Sequence, residues 1–137
     1  MSRDVFHAVV RAALINDGWT ITADPYTVSV GGVDMQIDLG ADKLLAADRA
    51  DQHIAVEVKS FVSPSAISEF HTALGQYLNY RLALKTAGAR RQLYLAVPHD
   101  TFHTFLQLPF PRAALAEHQV ALLVYHAQQE VITQWIP

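Results

Sequence analysis

The segment from His53 to Phe61, HIAVEVKSF, constrains this chain more than any other. Ile54, Val56 and Val58 alternate with Ala55, Glu57 and Lys59, and residues two apart share one face of a strand. From Ile54 to Val58 the segment is apolar on both faces except at Glu57, beside which Lys59 projects. Burying charge without a partner is costly, so the sheet holding this strand must give the pair something to hold. A divalent cation shared with a second carboxylate removes that cost, provided Lys59 stays hydrated or paired.

The elements around this strand follow from periodicity. Val5, Phe6, Val9, Val10, Ala13 and Leu14 recur at helical spacing over residues 3–17, and Asp17-Gly18 supplies a stop. Strands are expected from Trp19 to Thr22 and from Tyr26 to Val30, separated by the Asp24-Pro25 turn and closed by Gly31-Gly32. Residues 33–39 alternate with a period of two, and Leu44 to Ala47 read as continuing strand after Gly40. Asp48 to Gln52 is then a polar turn into residues 53–61. Ser63-Pro64 opens a helix that runs over residues 65–86 and stops at Gly88. Arg91 to Val97 is a short apolar strand. Short helices are expected at 100–107 and 112–118, parted by a Pro109 to Pro111 kink, with last strands at Val120 to Tyr125 and Glu130 to Ile136. With no internal repeat or linker, residues 1–137 read as a single α/β domain.

Composition narrows the chemistry. There is no cysteine, so disulfides and thiolate ligands are excluded. The N-terminus lacks a signal-peptide layout, and no run approaches the ~18 to 20 apolar residues of a membrane span, which makes the cytosol the default compartment and predicts no membrane partner. A formal net charge of -3 gives no general pull toward nucleic acid, so any DNA contact must come from a local basic patch or a bound cation.

Glu57 and Lys59, preceded by acids at Asp38 and Asp42, suit phosphodiester hydrolysis. That reaction needs a cation to polarise the phosphate and acidify water, and a lysine to stabilise charge or orient the nucleophile. Mg²⁺ (or Mn²⁺) fits, because Mg²⁺ takes one or two carboxylates and completes its shell with water and substrate oxygens. If Asp48 stands opposite His53 across a turn, Asp42 lies opposite Lys59, on the face of Glu57. Asp38 shares that face, ~13 Å further along at about 3.3 Å per residue, unless Gly40 bends the strand and swings it back. Asp38 and Asp42 both remain candidates, with a slight preference for Asp38. On the following helix Gln76 and Tyr80 are one turn apart and share a face that looks back toward the strand end. A glutamine there can hold Lys59, a metal-bound water or a phosphate.

Asp, then ExK on a hairpin strand, then a helix carrying QxxxY resembles the RecB-type branch of the PD-(D/E)xK nucleases. More narrowly, RDVFHAVVRAALINDGWTITADPY, IDLGADKLLAAD, IAVEVKSF, EFHTALGQYLNYRLAL, LYLAVPHDTF and EVITQWI resemble the XisH family, controlling factors for excision of the fdxN element. The resemblance runs almost end to end. It implies a restriction-endonuclease-like core: a central mixed β-sheet flanked by helices, in the order α-β-β-β-α-β. It also implies association with an XisI-like protein. By the same resemblance Asp38, Glu57 and Lys59 take the core motif and Gln76 and Tyr80 the helix motif, while Asp42 sits where the family usually has an acid.

Other signals have plainer readings. Of the seven histidines only His99 and His103 share an i, i+4 spacing, and no glutamate follows His99, so structural zinc is disfavoured. His7 is a candidate to face the site, although an ordinary surface or partly buried histidine is the preferred reading. Trp19, Phe61, Phe70, Tyr77, Phe102, Phe105 and Trp135 read as core or interface. The apolar Leu106 to Pro111 stretch is a candidate contact with the domain itself or with a second subunit. Arg81, Lys85, Arg90 and Arg91 are candidate phosphate contacts, with a solvated, salt-bridged face as the preferred reading. Two functions follow: a Mg²⁺-dependent DNA endonuclease controlling excision of a DNA element, or a non-catalytic accessory that binds an XisI-like partner, and DNA, to control a separate recombinase. A nuclease completed only by its partner lies between them.

Overall fold

The computed structural model describes residues 3–44 and 51–137, and its frame is a six-stranded mixed sheet. The elements in chain order are α1 (Arg3–Asn16), β1 (Thr20–Ala23), β2 (Tyr26–Val30), β3 (Val33–Ile37), β4 (Leu39–Lys43), β5 (Gln52–Val58), α2 (Ala66–Thr86) and β6 (Gln92–Pro98). They are followed by α3 (His99–His103), a 3-10 turn at Phe105–Gln107, α4 (Pro109–Glu117), β7 (Leu122–His126) and β8 (Val131–Ile136). The strand order is β1-β4-β5-β6-β7-β8, with β5, β6 and β7 parallel and the outer pairings antiparallel. The expected central mixed sheet flanked by helices is therefore present.

Each face of the sheet carries its own apolar layer. Phe6, Val10 and Leu14 of α1 cover Leu39, Ile54, Val56, Val58, Leu123 and Tyr125. Phe70, Ala73 and Tyr77 of α2 cover Ala55, Leu93, Leu95 and Val97 on the other side. Because side chains alternate along β5, Glu57 shares the Ala55 face and projects toward the α2 layer. Parallel β5 and β6 need a crossover, and α2 supplies it. Ser65 caps that helix by accepting from Ser68 N–H at 3.3 Å, so Pro64 precedes the cap rather than lying in the first turn.

Five sequence expectations change. Residues 33–39 are not one strand. Val33–Ile37 pair with β2 in a separate hairpin, closed by Gly31 and Gly32 with φ of 58° and 83°, and the chain enters the large sheet only at Leu39. Gly40 is not the bend: it sits in the β4 ladder, and a Cβ there would come 2.9 Å from the Tyr26 ring, so glycine makes room for an aromatic. Asp42 pairs with His53 rather than Lys59, a register six residues away from the one expected. Pro109 begins α4 instead of kinking the chain, since a proline lacking N–H and fixed in φ suits the first helical turn. Leu44 lies outside any strand, and the rest of the expected 44–47 strand, with most of the 48–52 turn, falls outside the described residues.

Candidate active site

The corrected register decides the site. Leu39 pairs with Val56, so Asp38, at the junction between the two sheets, comes opposite Glu57. The two residues are tied through the main chain. Val58 N–H donates to Asp38 Oδ2 at 2.8 Å, and Asp38 N–H donates to Glu57 Oε1 at 3.2 Å. Among the described residues Glu57 is the one charged side chain in the core, 1% exposed, and its Oε2 accepts no hydrogen bond. Lys59 Nζ stands 3.6 Å from that oxygen. Burial first, then the neighbouring Asp38 carboxylate, push the Glu57 carboxyl up to about 7, while Lys59 pulls the other way.

The surroundings hold these groups in place. Lys59 N–H continues the ladder to Ala96 O at 3.0 Å, and its carbonyl accepts from the buried Tyr125 hydroxyl at 2.9 Å. After Lys59 the chain turns through Phe61, at φ 54°, a costly conformation for an aromatic residue. Glu69 of α2 secures that turn: its carboxylate accepts from Phe61 N–H at 2.7 Å and Ser63 N–H at 3.2 Å. A cavity of about 130 Å³, lined in part by Lys59, Ser60 and Glu69, opens beside the lysine. From α1, His7 brings Nδ1 to 3.9 Å from Asp38 Oδ1, and its Nε2 lies 2.8 Å from Asp24, which also accepts from Arg11 Nε at 3.0 Å. His7 is thus partly buried, as the preferred reading allowed, and stands beside Asp38.

Asp38, Glu57 and Lys59 are brought together as expected from the residues. Asp42 is not with them. It binds Arg91 at 2.8 Å and His53 at 2.9 Å at the opposite end of β4. Burial there works to raise the Asp42 carboxyl, but His53 and Arg91 outweigh it and hold it below the usual value. Gln76 and Tyr80 lie on α2, above the face to which Glu57 projects. Gln76 Oε1 is buried without a partner, and Tyr80 packs against the apolar layer of Phe70 and Tyr77. The buried hydroxyl of this helix belongs to Tyr77, which donates to Leu93 O at 3.2 Å and accepts from Ala121 N–H at 3.0 Å.

Two of the four expected basic residues are engaged within the fold, while Lys85 and Arg90 are exposed. Arg81 donates to His118 O at 2.7 Å and stacks on Tyr77, while Arg91 holds Asp42 and the carbonyls of Ala41 and Ile54 and stacks on Tyr26. Glu69 and Tyr125 were not singled out from the sequence. The signal for Glu69 was an acid in the first turn of a helix that begins just after the ExK strand; Tyr125 carries none, because its partner is a main-chain carbonyl.

Fold and site together define a mixed α/β domain whose central sheet ends in a paired aspartate and glutamate beside a lysine. The chain belongs to the XisH family, whose model, described as XisH protein, matches residues 1–133. Among solved structures it is similar to an fdxN element excision controlling factor protein from Anabaena variabilis, with 57% identity and a TM-score of 0.89 over 98% of this chain and 100% of that one. It is also similar to an XisH family protein from Nostoc punctiforme PCC 73102, with 56% identity and a TM-score of 0.88 over the same shares. No curated protein matches the chain. Among the described residues no helix is long and apolar enough to cross a membrane.

Proposed function

We propose that this protein acts in controlling excision of a DNA element as a metal-dependent nuclease of the PD-(D/E)xK type. One observation carries the reading: the buried Glu57, with an oxygen that no hydrogen bond satisfies, faces Asp38 and stands beside Lys59. An unsatisfied buried carboxylate oxygen is costly, and a bound cation would complete it. The relative from Anabaena variabilis, described as an excision controlling factor, supports the process.

Asp38 and Glu57 supply two carboxylates, a set that fits Mg²⁺ or Mn²⁺ with water and substrate oxygens filling the remaining positions. Among the described residues no three His, Asp or Glu side chains form a complete protein cage, and this ion does not need one. When bound, the cation supplies Lewis acidity toward the phosphate and makes water a better nucleophile. Lys59 presents its ammonium where negative charge grows on the phosphoryl oxygens. Val58 N–H orients the Asp38 carboxylate, with His7 3.9 Å from its other oxygen, and the loop clamped by Glu69 follows directly after Lys59. Gln76, from the covering helix, has a buried side-chain oxygen without a partner and would serve to hold a water.

The experiment is a screen of DNA substrates with Mg²⁺ and Mn²⁺, using wild type and the Glu57→Ala/Lys59→Ala double variant. Metal-dependent cleavage by wild type and none by the folded double variant is the expected result. Cleavage that persists in the double variant removes this site from the mechanism.

A second reading has its own support. Leu108 and Phe110 are 52% and 66% exposed, and Arg81 and Arg91 are engaged within the fold, which favours protein recognition over DNA recognition. On this reading the chain is an accessory that binds an XisI-like partner, with no hydrolysis under any divalent cation.

A further inference from the structure

The C-terminal ends of the parallel strands β5, β6 and β7 bring together more than the carboxylate site. His99 follows the last residue of β6, His126 ends β7, and Ser60 lies just beyond β5. These residues line a cavity of about 270 Å³, which shares Phe6 and Ser60 with the smaller cavity beside Lys59. At about 30 Å³ per water, the larger space holds roughly nine waters, enough for a phosphate group and part of a sugar. In open α/β sheets, ligands bind in the crevice at this end of the strands.

Two details show which ligand chemistry the cavity would take. His99 lines the cavity, and its Nδ1 has no hydrogen-bond partner within the described residues. His126 Nδ1 accepts from Gln129 N–H at 3.2 Å, which leaves its proton on Nε2 and makes that nitrogen a donor even when the ring is neutral. The His99 and His126 rings are 5.9 Å apart, and His103 stacks 4.3 Å from His99. Clustered imidazoles gain from an anion that accepts their N–H groups, because it offsets their mutual repulsion when protonated. Little negative charge opposes this. Asp100 also lines the cavity but is exposed, and the nearby Glu69 carboxylate is taken by Phe61 and Ser63 N–H.

We infer that the His99–His126 cavity is a phosphate-binding subsite, and that it holds a backbone phosphate of the polynucleotide neighbouring the one presented to Glu57 and Lys59. The second half of this inference rests on the nuclease reading; the first does not.

The test follows the histidine ring nitrogens of the full-length wild-type protein by NMR at pH 6 without divalent cation, as inorganic phosphate is added. Saturable shifts of His99 and His126 are expected, and in the single variants His99→Gln and His126→Gln the remaining ring should need about tenfold more phosphate to shift. Phosphate that leaves both rings unmoved in the wild type overturns the subsite, whether or not the variant folds. A short DNA oligonucleotide is then added to the phosphate-loaded protein. Displacement of phosphate from these rings supports a polynucleotide occupant, whereas displacement by a mononucleotide alone overturns that half. Absence of DNA hydrolysis by the wild type with Mg²⁺ or Mn²⁺, with the phosphate shifts present, would count against the nuclease reading and leave the subsite standing.

Discussion

Asp38 and Glu57 hold each other through the main chain: the N–H of Asp38 donates to Glu57 Oε1 at 3.2 Å, while its carboxylate accepts from the residue after Glu57 at 2.8 Å. Two acids are thus fixed side by side at the junction of two sheets, where repulsion would otherwise part them. The arrangement makes stability, protonation and cation binding depend on one another.

The first consequence is a pH dependence. The Glu57 carboxyl lies at about 7 in the fold against 4.5 ordinarily, so between those values the folded state holds a proton that the unfolded chain has lost. Stability without divalent cation is therefore fully present below about pH 4.5 and is lost as pH rises toward 7, by roughly 3 kcal/mol at most. Urea unfolding in EDTA at pH 5 and pH 8 measures this, and Glu57→Gln should flatten the difference. A wild-type profile as flat as that of the variant would contradict the assignment.

Asp38 has two duties that substitutions can separate. Asparagine keeps an acceptor for Val58 N–H, whereas alanine leaves that donor unpaired. Asp38→Ala should cost about 1 to 3 kcal/mol and Asp38→Asn markedly less, while both lose cation affinity. Thermal melts beside a cation titration distinguish the two roles; equal destabilisation would show that the Val58 bond is unimportant.

Glu69→Ala removes the acceptor for two main-chain donors around the strained Phe61. Bonds to a charged acceptor are worth about 1.5 to 3 kcal/mol, so the variant should melt several degrees lower. Any DNA cleavage should slow with little change in cation affinity, since the carboxylate pair is intact. Cation binding lost together with the loop would place Glu69 among the ligands instead.

The fold was readable where local pattern and tertiary structure agree. HIAVEVKSF, the long helix with its serine cap and the Gly31-Gly32 hairpin each carry a local signal that packing only reinforces. The break at Asp38 does not, because alternation from Val33 to Leu39 continues unbroken while the chain passes from one sheet to another. The β4–β5 register was missed for a related reason: the polarity of residues 48–52 marks a connection but not its length, and six residues of slip exchange Asp42 for Asp38 opposite the ExK strand. The aspartate nearer in the expected register was therefore the wrong neighbour. His7 and Tyr125 reach the site from elements whose packing no periodicity encodes.

Asp42→Asn puts that correction to work. It should cost about 1 kcal/mol through Arg91 and His53, both partly solvated, and leave cation binding at the wild-type level. A drop in affinity comparable to that of Asp38→Asn would return Asp42 to the site.

The most direct measurement is Mn²⁺ binding by calorimetry at pH 8, on wild type, Asp38→Asn, Glu57→Gln and Asp42→Asn. The account predicts one site in wild type and Asp42→Asn, and none in the other two. No binding by folded wild type, or binding that survives both Asp38→Asn and Glu57→Gln, would contradict it.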